Sequence, residues 1–184
     1  MLQKALLTVR VLWLAISMSI AVFLVVLALA APPGPSQAAP VMAPVLAGVA
    51  VLLAVMSVVL PRTLHWAAVS SVELPVITEA DPEGFGSFYR EAAPTRSIIA
   101  DREAAHQAAV KCFQPAYIIG LALSEAIALL GFVLGFLGFA PWIWLPFFAV
   151  GFVLVAIRFP TERKIVAPLE AALGAKIADP GGQS

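Results

Sequence analysis

Few side chains in this sequence could do chemistry, and most of them stand alone. His65 and His106 have no partner at metal-ligand spacing, and the single cysteine, Cys112, excludes an internal disulfide framework and any cysteine-based zinc site. No glycine-rich phosphate loop, nucleophile elbow or HExxH helix is present. An enzyme acting on lipid would need a cluster of catalytic polar residues at an interface, and none is visible. The sequence therefore predicts no enzyme, cofactor or metal. One residue stands apart: of eleven acidic residues, ten fall in polar segments and one, Glu125, lies inside a long apolar run.

Glu125 follows Tyr117 by eight residues, or roughly 12 Å along a helix axis, which puts it near the middle of a bilayer. Holding an ionised carboxylate there costs roughly 2.5–3.5 kcal/mol even on the lenient insertion scale. The cost is avoided if the carboxyl is carried protonated. A group that takes up and releases a proton at that depth is what proton translocation requires, so Glu125 is the candidate ion- or proton-binding residue. A carboxyl hydrogen-bonded across to Ser17 or Ser19 of the first helix, or to Ser57 of the second, and serving only as packing, is a second reading. A contact with another membrane subunit is a third. Beside Glu125 runs a strip of small residues, Ser124, Ala128, Gly131 and Gly135, in which Gly131 and Gly135 form a GxxxG pair that lets another helix approach closely.

The elements that must position these groups follow from composition. Hydrophobic residues make up 61% of the 184 and charged residues 12%, against about 25% charged in an ordinary soluble domain. A hydrocarbon layer about 30 Å thick needs roughly 20 apolar residues as helix, and four nearly uncharged runs occur, at 11–31, 41–60, 116–137 and 142–157. They are apolar all round instead of alternating, which excludes a closed β-barrel. The expected fold is all-α: an integral membrane protein with four transmembrane helices as two hairpins, joined by a cytoplasmic helical connection. Its expected segments are a hairpin at 1–61, a cytoplasmic loop and helix at 62–114, a second hairpin at 115–159 and a cytoplasmic tail at 160–184.

Topology follows from charge. All eleven lysines and arginines lie before the first run, between the second and third, or at and beyond the end of the fourth, while the connections 32–40 and 138–141 carry no charge. Lysine and arginine resist translocation, so both termini and the central segment are expected in the cytoplasm. Trp13 and Trp66 then fall near the inner boundary, and Trp142 and Trp144 near the outer one. Lys4, Arg10, the apolar run and Ala28-Leu29-Ala30 also fit a cleavable signal peptide, although a run of about twenty residues is long enough to span. The short Ala-rich loops suggest a bacterial inner membrane. A net charge of zero gives no footprint for nucleic acid; the bilayer, a second copy or a larger membrane complex are the expected partners.

Within 62–114 the stretch 72–89 reads as an irregular acidic loop, and 95–113 as a helix with Thr95 available as N-cap. Ile98, Ile99, Arg102, Ala105 and Ala109 share one stripe, so this helix lies on the membrane or runs into the third span through a bend at Pro115. In the tail, 165–177 reads as a short amphipathic helix, followed by a disordered Asp179-Pro180-Gly181-Gly182.

The stretch 117–137, YIIGLALSEAIALLGFVLGFL, resembles the second helix of the ATP synthase c subunit, the proteolipid of the membrane rotor. The likeness rests on Ala122-Leu123-Ser124-Glu125-Ala126 and Leu130-Gly131-Phe132-Val133. In that family the glutamate binds the transported proton or sodium ion, and the resemblance implies that role for Glu125. It covers about an eighth of the chain. The second helix here offers only Gly48 where a proteolipid's first helix has many glycines, and the polar connection is far longer and lacks the Arg-Gln core.

Overall fold

In the computed structural model, residues 2–30, 40–80 and 95–177 are described. Most of the connection at 32–40, the acidic stretch from Asp81 onward and the Asp179–Gly182 segment lie outside them. The described residues form five helices and three short strands: α1 (Leu2–Ala30), α2 (Met42–Ser70), β1 (Val76–Ala80), β2 (Thr95–Ile99), α3 (Arg102–Phe136), α4 (Pro141–Ala156), α5 (Glu162–Leu173) and β3 (Lys176–Ile177).

Three helices, α1, α2 and α3, are long and apolar enough to cross a membrane. The fourth expected span, α4, has 16 residues, about 24 Å at 1.5 Å per residue. It begins where Gly138, at φ 80°, turns the chain tightly out of α3 and Pro141 opens the helix. Contacts fix the helix directions. Ser19 meets Glu125 and Leu27 meets Gly135, so α1 runs parallel to α3. Pro61 meets Gly120 and His65 meets Cys112, so α2 is antiparallel to α3. Phe147 meets Gly131 and Gly151 meets Ser124, so α4 is antiparallel too. The result is an up-down-up-down bundle.

At its centre stands α3, with 44% of its apolar window buried against 11% for α1 and for α2. The outer faces of α1 and α2 present Leu14, Met18, Val22, Val51, Leu52 and Val55 more than half exposed. Such faces suit a hydrocarbon solvent, where apolar exposure costs nothing and only unpaired backbone is expensive.

The polar segment differs from expectation in instructive ways. Helices run through the expected boundaries: α2 continues past 61 to Ser70, and α3 starts well before 115 and passes through Pro115. The helix expected from Thr95 begins instead at Arg102, because Asp101 supplies the better cap, its carboxylate accepting the Ala104 N–H at 2.9 Å. Thr95–Ile99 is strand, as its β-branched residues favour. It pairs antiparallel with Val76–Ala80, Val76 opposite Ile99, inside the stretch expected to be irregular. The tail helix closes at Leu173 on Gly174, at φ 60°. Lys176–Ile177 then joins β2 in parallel as the third strand of the sheet. Sheet, α5 and the first turns of α3 share a core of Ile99, Ala105, Ala109, Ile165 and Leu169, which caps one end of the bundle.

Candidate functional site

Glu125 lies on the seam between α1 and α3, half-buried. The Ser19 hydroxyl donates to its Oε1 at 2.5 Å. The two other serines offered by the sequence are spent on their own helices: Ser17 Oγ donates to Trp13 O at 2.8 Å, and Ser57 Oγ to Ala54 O at 2.8 Å. The small strip beside Glu125 is buried along its whole length. A Cβ at Gly131 would fall 2.7 Å from Phe147 Cβ and 3.0 Å from Trp144 O, and one at Gly135 would strike Leu27 of α1. Ser124 and Ala128 face Gly151 of α4, where an added Cβ would lie 2.9 Å from Ser124 O. The strip thus seats α4 over three of its residues and α1 over the fourth, with Glu125 to one side.

A second polar cluster lies nearer the capped end, and its logic begins with Pro61. Proline has no N–H, so in α2 the carbonyl four residues earlier, Ser57 O, loses its helical partner. The Arg158 Nη2 donates to that carbonyl. Its Nη1 donates to Ser124 Oγ at 2.6 Å and to Leu154 O at 2.8 Å. Ser124 in turn donates its hydroxyl to Gly120 O at 2.8 Å. Glycine at 120 makes the room: a Cβ there would fall 3.0 Å from Arg158 Nε and 3.1 Å from Pro61 Cγ. Ser57 and Ser124 are the buried polar side chains among the described residues, each fully excluded from solvent. One guanidinium therefore ties α2, α3 and α4 together.

The same cation closes the end of α4. There the backbone tightens, with Arg158 N–H bonding Val155 O. Side chains add to this: Trp13 Nε1 gives Val155 O a second bond at 2.8 Å, and Lys164 Nζ donates to Ile157 O and Phe159 O at 3.0 Å each. Positive charge at a helix C-terminus is favoured by the helix dipole as well.

Between α2, α3 and the α4–α5 junction this cluster borders a crevice of about 300 Å³, lined among others by Arg62, His65, Tyr117, Arg158 and Lys164 and, among the described residues, by no carboxylate. His65 Nδ1 lies 3.2 Å from Cys112 O, while its Nε2 and the Tyr117 hydroxyl are buried without a partner. Tyr117 stacks on Phe113, ring centroids 5.0 Å apart. Sequence reasoning used Arg158 only as a marker of sidedness. The signal that could have found it was Pro61 in an apolar run, since a freed carbonyl at that depth must find a donor. Among the described residues no three of His, Cys, Asp and Glu come together as a metal site. Comparison with protein-family models, with curated proteins and with solved structures finds no match.

Proposed function

We propose that this chain is a non-catalytic, four-span protein of a bacterial cytoplasmic membrane, with both termini inside, acting as an accessory or assembly component of a larger membrane complex. In this reading Glu125 is an inter-helix contact. The observation that carries it is the 2.5 Å hydrogen bond from Ser19 to Glu125, which uses the carboxyl to hold α1 against α3. Hydroxyl-to-carboxyl contacts of this kind are how membrane helices accommodate polar side chains. The fourth span would be α4, whose length falls somewhat below the hydrocarbon thickness; thinning of the bilayer and the flanking Trp142 and Trp144 accommodate such a mismatch. The capped end, rich in lysine and arginine, supports its placement in the cytoplasm.

A second reading, proton or ion handling in the manner of the proteolipid it resembles, is favoured by one observation: Glu125 is only half-buried, and its contact with Ser19 engages a single carboxyl oxygen. Glu125→Gln separates the two. Glutamine keeps an acceptor for Ser19 and cannot exchange a proton. The contact reading expects unaltered stability, unaltered association with partner subunits after mild detergent extraction, and no change in proton or sodium flux across proteoliposomes. A flux that disappears in Glu125→Gln, together with carbodiimide labelling at Glu125 in the parent chain, would replace it with the second reading.

A further inference from the structure

We infer that the crevice between α2, α3 and the α4–α5 junction is a binding site for the anionic phosphodiester head group of a membrane phospholipid. Arg62, Arg158 and Lys164 surround it and no carboxylate among the described residues lines it, so its charge is unbalanced by them. Arg158 spends three of its guanidinium hydrogens on Ser57 O, Ser124 Oγ and Leu154 O. The remaining two of five are without an acceptor among the described residues. Tyr117 also lines the crevice, with the residue 6% exposed, and its buried hydroxyl has no partner among the described residues. A buried hydroxyl left unmatched costs about 1–3 kcal/mol, and a phosphate oxygen is an acceptor that would satisfy it beside the guanidinium.

His65 adds a second orphan of opposite sense. Its Nδ1–H faces Cys112 O, which leaves the Nε2 lone pair to accept, and a hydroxyl on the head group would supply that donor. The mouth favours a lipid over a free phosphate. Ile157 in the lining is 60% exposed, so an acyl chain leaving the crevice would meet an apolar side chain. At about 300 Å³ the space suits a head group and not a whole lipid.

The test uses the full chain purified in neutral detergent, with lipid retention followed by native mass spectrometry and thermal stability measured in parallel. Probes are phosphatidylglycerol, phosphatidylcholine of the same acyl chains, and inorganic phosphate. Phosphatidylglycerol should bind at least tenfold more tightly than phosphatidylcholine and raise the unfolding temperature. Arg62→Gln and Lys164→Gln should each weaken it about fivefold, the equivalent of roughly 1 kcal/mol per basic residue near an anionic surface. Tyr117→Phe, which removes only the hydroxyl, should weaken it further. Both variants alter exposed residues and leave the Arg158 ties in place; Lys164→Gln also removes the bonds to Ile157 O and Phe159 O, so the parallel thermal measurement and the Arg62→Gln variant separate a folding loss from a binding loss. Equal retention of the two lipids, or undiminished phosphatidylglycerol binding in the Arg62→Gln/Lys164→Gln double variant, would overturn the inference. Protection by inorganic phosphate equal to that by phosphatidylglycerol would overturn the lipid assignment in favour of a soluble phosphate.

Discussion

Two polar intrusions enter the apolar bundle, and they are built in opposite ways. On the α1–α3 seam, Glu125 meets one hydroxyl, from Ser19. On the α2–α3–α4 seam, Arg158 meets three acceptors on three helices, one of them a carbonyl that Pro61 has released. Arginine keeps its proton in any protein environment, so its charge must be met by the surroundings. A carboxyl can shed its charge by protonation, and a single donor is then enough. The difference teaches that the more elaborate polar site in this fold is the one whose charge has no chemical escape.

The comparison is broken most forcefully at Arg158. Arg158→Met should cost about 3 kcal/mol, since it strands Ser57 O, leaves Ser124 with only its bond to Gly120 O, and removes hydrogen bonds from a charged donor, each worth roughly 1.5–3 kcal/mol. Thermal unfolding in detergent reads the loss. Placing the same change in a Pro61→Ala background sharpens it. Alanine restores an N–H for Ser57 O, so the Arg158→Met penalty should shrink by about 1 kcal/mol; an unchanged penalty would show that the released carbonyl does not depend on Arg158.

Next in size is Gly131→Ala. The added Cβ meets Phe147 Cβ and the Trp144 carbonyl, and the backbone of α4 cannot yield cheaply. A loss of about 1–3 kcal/mol is expected, whereas Gly48→Ala, with open space around it, should be nearly silent. The smallest effect belongs to the carboxyl seam. Ser19→Ala should cost about 0.6 kcal/mol, the average for a hydrogen bond between membrane helices, and Glu125→Gln less than that. A Ser19→Ala cost matching that of Arg158→Met would erase the distinction between the seams.

The sequence made the bundle legible and the cap opaque, for physical reasons. Long apolar runs announce α1, α2 and α3 because the bilayer demands length and uniformity, and the apolar positions of α4 were as plain, though its helix is shorter. Glu125 was visible because a lone acid in such a run is conspicuous, and its serine partner was among three candidates that sequence could not rank. Arg158 was hidden by its position, since a cation at the end of a helix looks like a mark of sidedness until the chain turns it inward. The strand at Thr95–Ile99 was lost because helix-forming residues follow closely behind it, and the competing cap, Asp101, is separated from Thr95 by six positions. Sheet pairing with Lys176–Ile177 brings together segments more than seventy residues apart, and no local pattern records that.

The bond from Arg158 to the Ser57 carbonyl spans 101 residues of chain. During synthesis at roughly 5–20 residues per second, α2 leaves the ribosome many seconds before its missing donor exists. For that interval the first hairpin carries a backbone acceptor in lipid that only water, a neighbouring hydroxyl or the insertion machinery can serve. Completion of the fourth helix thus does more than add an element to the bundle: it retires a vulnerability in the second.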